Sequence, residues 1–157
     1  MPTVNQPKFL CDDNLGKLAR YLRLLGYDTF FEKTLDDARL LSTMLKENRI
    51  VLTRDRKLIK RLPAGRFVLI EDDSPETQIK SVIGQLVLKP DRDAFFSRCL
   101  ECNEPCVEIS RDEIEEKVFP YILKKHESFS KCPACGRIFW PGSHYKDMVR
   151  KLDSILR

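Results

Sequence analysis

The stretch Lys8-Phe9-Leu10-Cys11-Asp12-Asp13-Asn14-Leu15-Gly16-Lys17-Leu18-Ala19-Arg20-Tyr21-Leu22-Arg23-Leu24-Leu25-Gly26 decides how the first ninety residues are read. Lys8–Cys11 reads as a short strand. From Leu15 onward, Leu15, Leu18, Ala19, Leu22 and Leu25 recur at the spacing of one buried helix face. Gly26 then supplies a C′ stop, because it enters the left-handed conformation without a Cβ clash. An acidic pair, Asp12-Asp13, sits between strand and helix.

The same alternation continues outward. Asp28–Phe31 reads as a second strand, followed by a helix from about Asp36 to Glu47 with Ala38, Leu41 and Leu45 expected inward. Ile50–Thr53 reads as a third strand, Arg56–Arg61 as a short basic helix and Phe67–Ile70 as a fourth strand. Pro75 opens a helix through Ile79, Val82, Ile83 and Leu86. Strands alternating with helices predict an α/β fold, a parallel sheet with helices on its faces. Lys89-Pro90-Asp91 reads as a seam, dividing the chain into a domain over residues 1–90 and a module over residues 91–157.

Four of the six cysteines form two Cys-x-x-Cys pairs, Cys99/Cys102 and Cys132/Cys135, with 29 residues between the pairs. Four thiolates suit the tetrahedral preference of Zn²⁺ and leave no position open for substrate, which predicts a structural zinc ribbon. Gly136 follows the second pair where the backbone must turn tightly, and Arg137–Trp140 reads as the strand leaving that knuckle. Cys106 competes as a ligand but reads as a spare buried thiol. The interval between the pairs is expected to hold a helix near Asp112–Val118. Ser143 is the expected N-cap of a last helix running to Ile155, with His144 either a helix-start residue or a substrate contact.

Clustered cysteine pairs point to a reducing compartment. The opening Met-Pro-Thr-Val-Asn-Gln-Pro-Lys lacks the apolar run of a secretion signal, so the cytoplasm is the expected location. No apolar run approaches membrane-spanning length. The net charge of +4 lies wholly in the first part: residues 1–90 hold 16 Lys/Arg against 12 Asp/Glu, and residues 91–157 hold 12 against 12. Arg54, Arg56, Lys57, Lys60, Arg61 and Arg66 form a basic stripe, read either as a solvated helix face or as a polyanion footprint.

In a parallel sheet the residues just after each strand share one edge, where open α/β sheets bind ligands. Asp12-Asp13, Asp36-Asp37, Thr53-Arg54-Asp55 and Glu71-Asp72-Asp73 all fall there. Acidic residues at helix starts also satisfy helix dipoles and caps. Taken as a set, carboxylates on one edge repel unless cations compensate, and Mg²⁺ or Mn²⁺ are the hard ions that oxygen ligands suit. Such ions activate water in phosphodiester hydrolysis. Arg54 and Arg56, with Lys17, Arg20 and Arg23 spaced by three, are the candidate phosphate contacts. No Gly-x-Gly-x-x-Gly and no Gly-Lys-Ser/Thr loop is present, and His126 and His144 complete no Ser-His-Asp set.

Residues Asp12 to Asp28 resemble the opening signature of the Mut-seven C-terminal RNase family. The likeness continues at Arg49-Ile50-Val51-Leu52-Thr53-Arg54-Asp55, at both cysteine pairs and at Trp140-Pro141-Gly142-Ser143-His144-Tyr145. Asn14 and Tyr21 depart from a common Met and a common Trp. The resemblance implies a PIN-like nuclease fold followed by a zinc ribbon, and a metal-dependent RNase. It also implies Asp12, Asp37 and Asp55 as the carboxylates holding Mg²⁺ or Mn²⁺, with Asp72 or Asp73 in the fourth position. The competing expectation is a non-catalytic RNA-binding or adaptor protein with a degenerate site. A phospho-acceptor receiver domain would need a fifth strand ending in Lys, and the cysteine module begins too early for one.

Overall fold

The computed structural model describes residues 5–157; residues 1–4, part of the stretch read for a secretion signal, lie outside it. The chain forms two compact units, one through Asn103 and the other Glu104–Arg157. Among the described residues no helix is long and apolar enough to cross a membrane.

The first unit runs β1 (Lys8–Cys11), α1 (Gly16–Leu24), β2 (Thr29–Phe31), α2 (Asp37–Glu47), β3 (Arg49–Thr53), α3 (Arg56–Ile59), β4 (Phe67–Leu69) and α4 (Pro75–Leu86). Its four strands are all parallel, in the order β2-β1-β3-β4. This is the α/β fold that the alternating pattern predicts. Phe30, Leu10, Val51 and Phe67 stand in register across the sheet and share one core with Leu40, Met44, Leu58 and Leu62. One sheet face is thereby covered by α2 and the α3 segment. Phe31, Cys11, Leu52 and Val68 form the adjacent row. Strand alternation turns that row to the other face, where Gly16 opens α1 so close to Phe31 that a Cβ would lie 2.9 Å from its ring.

The element ends follow local chemistry. Gly26 takes φ +93 after α1, and a Cβ there would meet the Ala94 carbonyl at 2.6 Å. Asp36 caps α2 by accepting from Arg39 N, and Ser74 caps α4 ahead of Pro75. The inward face of α2 corrects the sequence reading: Leu40 and Met44 are buried, whereas Leu41 is half-buried and Ala38 and Leu45 are exposed.

The second unit contains β5 (Val107–Ile109), α5 (Pro120–Lys125), β6 (Phe129–Lys131), β7 (Ile138–Phe139) and α6 (Ser143–Leu156). Its strands form an antiparallel sheet in the order β5-β6-β7, and Ile114, Ile122 and Phe129 are its buried centre. The helix expected near 112–118 is absent. A capping box between Ser110 and Glu113 winds only a 3₁₀ turn over Arg111–Glu113, and Pro120 begins the helix instead. The N-cap of α6 is Gly142 rather than Ser143.

Candidate active site and metal centre

The order β2-β1-β3-β4 places a topological switch between β1 and β3, where the chain leaves toward opposite sides of the sheet. Asp12 follows β1 at this point, its amide donating to the Leu52 carbonyl at 3.0 Å. Its Oδ2 accepts from Thr53 Oγ1 of the neighbouring strand at 2.8 Å, and its Oδ1 accepts from Asp13 N at 2.8 Å. Thr53 Oγ1 also accepts from the Asp55 amide at 3.0 Å. One buried hydroxyl therefore ties together the ends of β1 and β3. Asp55 caps α3, its Oδ1 accepting from Lys57 N at 2.8 Å and Leu58 N at 3.2 Å.

The other acidic candidates are held elsewhere along the edge. Asp37, in the first turn of α2, pairs with Arg61 at 3.1 Å. Asp72 is half-buried, and its carbonyl accepts from Arg54 and from Gln78 Nε2. Arg54 also pairs with Asp73 at 3.0 Å, and Arg56 with Glu71 at 2.5 Å. Among the described residues, Asp12, Asp37 and Asp55 do not form a set whose ligand atoms all lie within 4.8 Å of one another. Hard carboxylate oxygens are the donor type that Mg²⁺ and Mn²⁺ take, so the chemistry of Asp12 and Asp55 fits such an ion.

The five basic candidates separate. Lys17 and Arg20 are exposed, with Arg20 paired to Glu101. Arg23 corrects the expectation of a phosphate contact, because it is only 6% exposed. Its Nε donates to the Thr29 carbonyl at 3.0 Å, and one terminal nitrogen donates to Leu100 at 2.7 Å and to Glu101 at 3.4 Å. Burial pulls its pKa down, while Cys11, Glu101, Cys99 and Cys102 oppose that shift. Burial likewise pushes the Cys11 thiol far above its usual range, despite Arg23, which fits a neutral core residue.

The cysteines do converge. The Sγ atoms of Cys99, Cys102, Cys132 and Cys135 all lie within 4.8 Å of one another, positioned to bind a metal ion. Four thiolates are the donor set that tetrahedral Zn²⁺ takes in closed sites. Each pair is wound on the same turn: Asn103 N donates to the Cys99 carbonyl and Gly136 N to the Cys132 carbonyl, both at 2.9 Å. The residue closing each turn has positive φ, 64 at Asn103 and 78 at Gly136. Cys106 is half-buried rather than buried and lies outside the four-sulfur set.

Asn103 does what a glycine cannot. Its Oδ1 accepts from Thr29 N at 2.9 Å and its Nδ2 donates to Asp28 Oδ1 at 2.7 Å, fastening the turn to the start of β2. Asp28 is also paired with the buried Arg49 at 2.8 Å. Burial would raise the Asp28 pKa, but the hydrogen bonds from Arg49 and Asn103 and the charges of Arg49 and Arg98 outweigh it and hold the carboxyl below its usual value. Sequence reading missed Thr53, Asp28, Arg49 and Asn103. Arg49 and Thr53, inside the Arg49–Asp55 motif, and Asp28, closing the opening signature, carried a visible signal, and Asn103 did not.

A parallel α/β domain with carboxylates at its switch point is joined in sequence to four cysteines positioned to bind a metal ion. Residues 7–152 match the Mut7-C RNAse domain family, and the chain belongs to that family. It is also similar to the human protein "Exonuclease mut-7 homolog", with 30% identity over 126 residues. That match covers 76% of this chain and 14% of the human protein, so the chain spans a small part of its relative's length.

Proposed function

We propose that this chain is a metal-dependent ribonuclease that hydrolyses RNA phosphodiester bonds at the β1/β3 switch point. The observation that carries the reading is the Thr53 hydroxyl, which fixes the Asp12 carboxylate beside the Thr53-Arg54-Asp55 turn. Membership of the Mut7-C RNAse domain family and the name of the human relative support a nuclease rather than another α/β chemistry.

In this reading Asp12, Asp37 and Asp55 hold Mg²⁺ or Mn²⁺, and Asp72 completes the edge. An ion held there would supply an activated water and charge stabilisation on the phosphate oxygens. Thr53 holds Asp12 in a single orientation. Arg54, Arg56 and Arg20 draw in the phosphate backbone, exchanging their carboxylate partners for phosphates on binding, and the exposed Lys17 adds a further positive charge. Residues 1–90 form the nuclease domain. Residues 91–157 form a zinc-ribbon module with a C-terminal helix, its zinc structural and its surface available to RNA. The clustered cysteine pairs favour a cytoplasmic setting.

One observation favours a second reading, a non-catalytic RNA-binding or adaptor protein: Asp37 is paired with Arg61, apart from Asp12 and Asp55. Cleavage of a pool of single-stranded and structured RNA with Mn²⁺ or Mg²⁺, by wild type and by Asp55→Asn, separates the two. Asn remains a good helix cap, so the variant keeps α3. A ribonuclease loses metal-dependent cutting in Asp55→Asn. RNA bound but uncut by wild type supports the adaptor, and equal cutting by both proteins overturns the site.

A further inference from the structure

Apart from these two sites, the Glu104–Arg157 unit carries a groove of about 620 Å³, within the size range of ligand sites. Lys117, Phe119, Tyr121, Ile122, Ile138 and Trp140 are among its lining residues, and none of the lining residues is acidic. Phe119 and Tyr121 are 68% and 60% exposed. The two exposed rings stack on each other beside the groove, and a contiguous apolar patch of this kind marks an interaction site where scattered exposed residues would not.

The arrangement follows from the local chain. Phe119 precedes Pro120 and takes the extended backbone that a following proline favours, φ −65 and ψ 142. Tyr121 follows Pro120 in the first turn of α5, while Ile122 turns into the core with Ile114 and Phe129. The two outward rings lie nearly parallel, 15° apart in plane with centroids at 5.9 Å. Trp140 is half-buried and rests against Phe129, ring centroids 6.4 Å apart. Lys117 adds positive charge to the lining, and α5 ends in the exposed Lys124 and Lys125.

Near-parallel aromatic faces beside lysines complement flat bases on a polyanionic backbone, the chemistry by which proteins hold single-stranded nucleic acid without reading its sequence. We propose that this groove is a base-stacking seat for single-stranded RNA. Phe119 and Tyr121 form its platform, Trp140 its inner ring, and Lys117, Lys124 and Lys125 its phosphate contacts. The proposal rests on the RNA reading above and names the part of the ribbon unit that would hold the strand.

Trp140 is the single tryptophan of the chain, so its emission reports the groove directly. The zinc-loaded full chain is titrated with a single-stranded oligouridylate, a duplex RNA of equal length and an apolar peptide, with labelled-RNA anisotropy measured in parallel. The expected result is Trp140 quenching by oligouridylate but not by duplex. Phe119→Ala and Tyr121→Ala should each weaken single-strand binding by about tenfold, as loss of one base–aromatic stack does. Leu45→Ala, an exposed apolar control on α2, should leave it unchanged. RNA bound with Trp140 unquenched and both variants at wild-type affinity overturns the groove and leaves the RNA reading standing. Quenching by the peptide alone overturns the groove as an RNA seat and makes it a protein-docking site. No RNA binding by wild type overturns both readings.

Discussion

The thiolate cluster takes its four sulfurs from two local turns of identical hydrogen bonding, whereas the carboxylate edge takes Asp12, Asp37 and Asp55 from three separate strand–helix junctions. The sulfurs are gathered within one ion's reach. The aspartates are steadied one by one, by the Thr53 hydroxyl, by Arg61 and by the amides that open α3. Metal binding releases thiol protons, so the charge of four thiolates arises together with the cation that offsets it. Carboxylates at neutral pH repel, and each of these is held by its own protein partner. The sulfurs are gathered as one donor set, whereas the proposed nuclease site would draw its carboxylates together around an ion bound with substrate.

The largest expected effect breaks the first half of that comparison. Cys132→Ser should abolish the bound zinc and with it the fold of the ribbon unit, since structural zinc supplies about 10–16 kcal/mol in isolated zinc-finger peptides. Metal analysis and amide exchange over Glu104–Arg157 would read this, and intact protection without zinc would contradict it.

The next effect sharpens the second half. Thr53→Val removes the hydroxyl that orients Asp12 while keeping the strand's shape. RNA cleavage should fall by about 10–100-fold, as for other groups that orient a metal ligand. Thr53→Ser should restore most of it, and a wild-type rate in the valine variant would leave Thr53 without a positioning role.

A smaller effect tests the correction at Arg23. Arg23→Met leaves the Thr29 and Leu100 carbonyls without their donor, at a stability loss of about 1–3 kcal/mol. Denaturant midpoints should shift while RNA affinity stays the same. An unchanged midpoint with weaker RNA binding would return Arg23 to the phosphate surface.

The smallest effect lies in the strap that fastens the first cysteine turn to β2. Asp28 has a depressed pKa in the folded chain, so its stabilisation is complete above the unfolded value, about 3.9. It is lost as pH falls through the lower folded value. Asp28→Asn should flatten the stability curve in that acidic window. The same slope in both proteins would mean that another group carries it.

Local chemistry was legible in the sequence, and three-dimensional choice was not. The bounds of β1, the Pro75 start of α4 and the Gly136 turn follow from the residues at those positions. On α2, two apolar stripes are interleaved, one through Ala38, Leu41 and Leu45 and one through Leu40 and Met44. Only the packing of the sheet selects the second. Lys17, Arg20 and Arg23 share a spacing of three, but each such step rotates roughly 60° short of a full turn. Two steps carry Arg23 from the exposed face into the core. Asn103 looked like an ordinary loop residue, and its role depends on β2 lying beside it. The edge carrying Asp12 and Asp55 was legible because a parallel sheet aligns its strand ends. Their mutual distances were not, since side-chain partners such as Arg61 set them.

The central claim is that the switch-point carboxylates form a metal-dependent nuclease site. Its most direct test is the Mn²⁺ dependence of end-labelled RNA cleavage by wild type and Asp12→Asn, with RNA affinity measured on the same preparations. Metal-dependent cutting by wild type, reduced at least about 10²-fold in Asp12→Asn at equal RNA affinity, is the predicted result. Cutting of equal rate in both proteins, or RNA bound by wild type and left intact at every Mn²⁺ concentration, would contradict it.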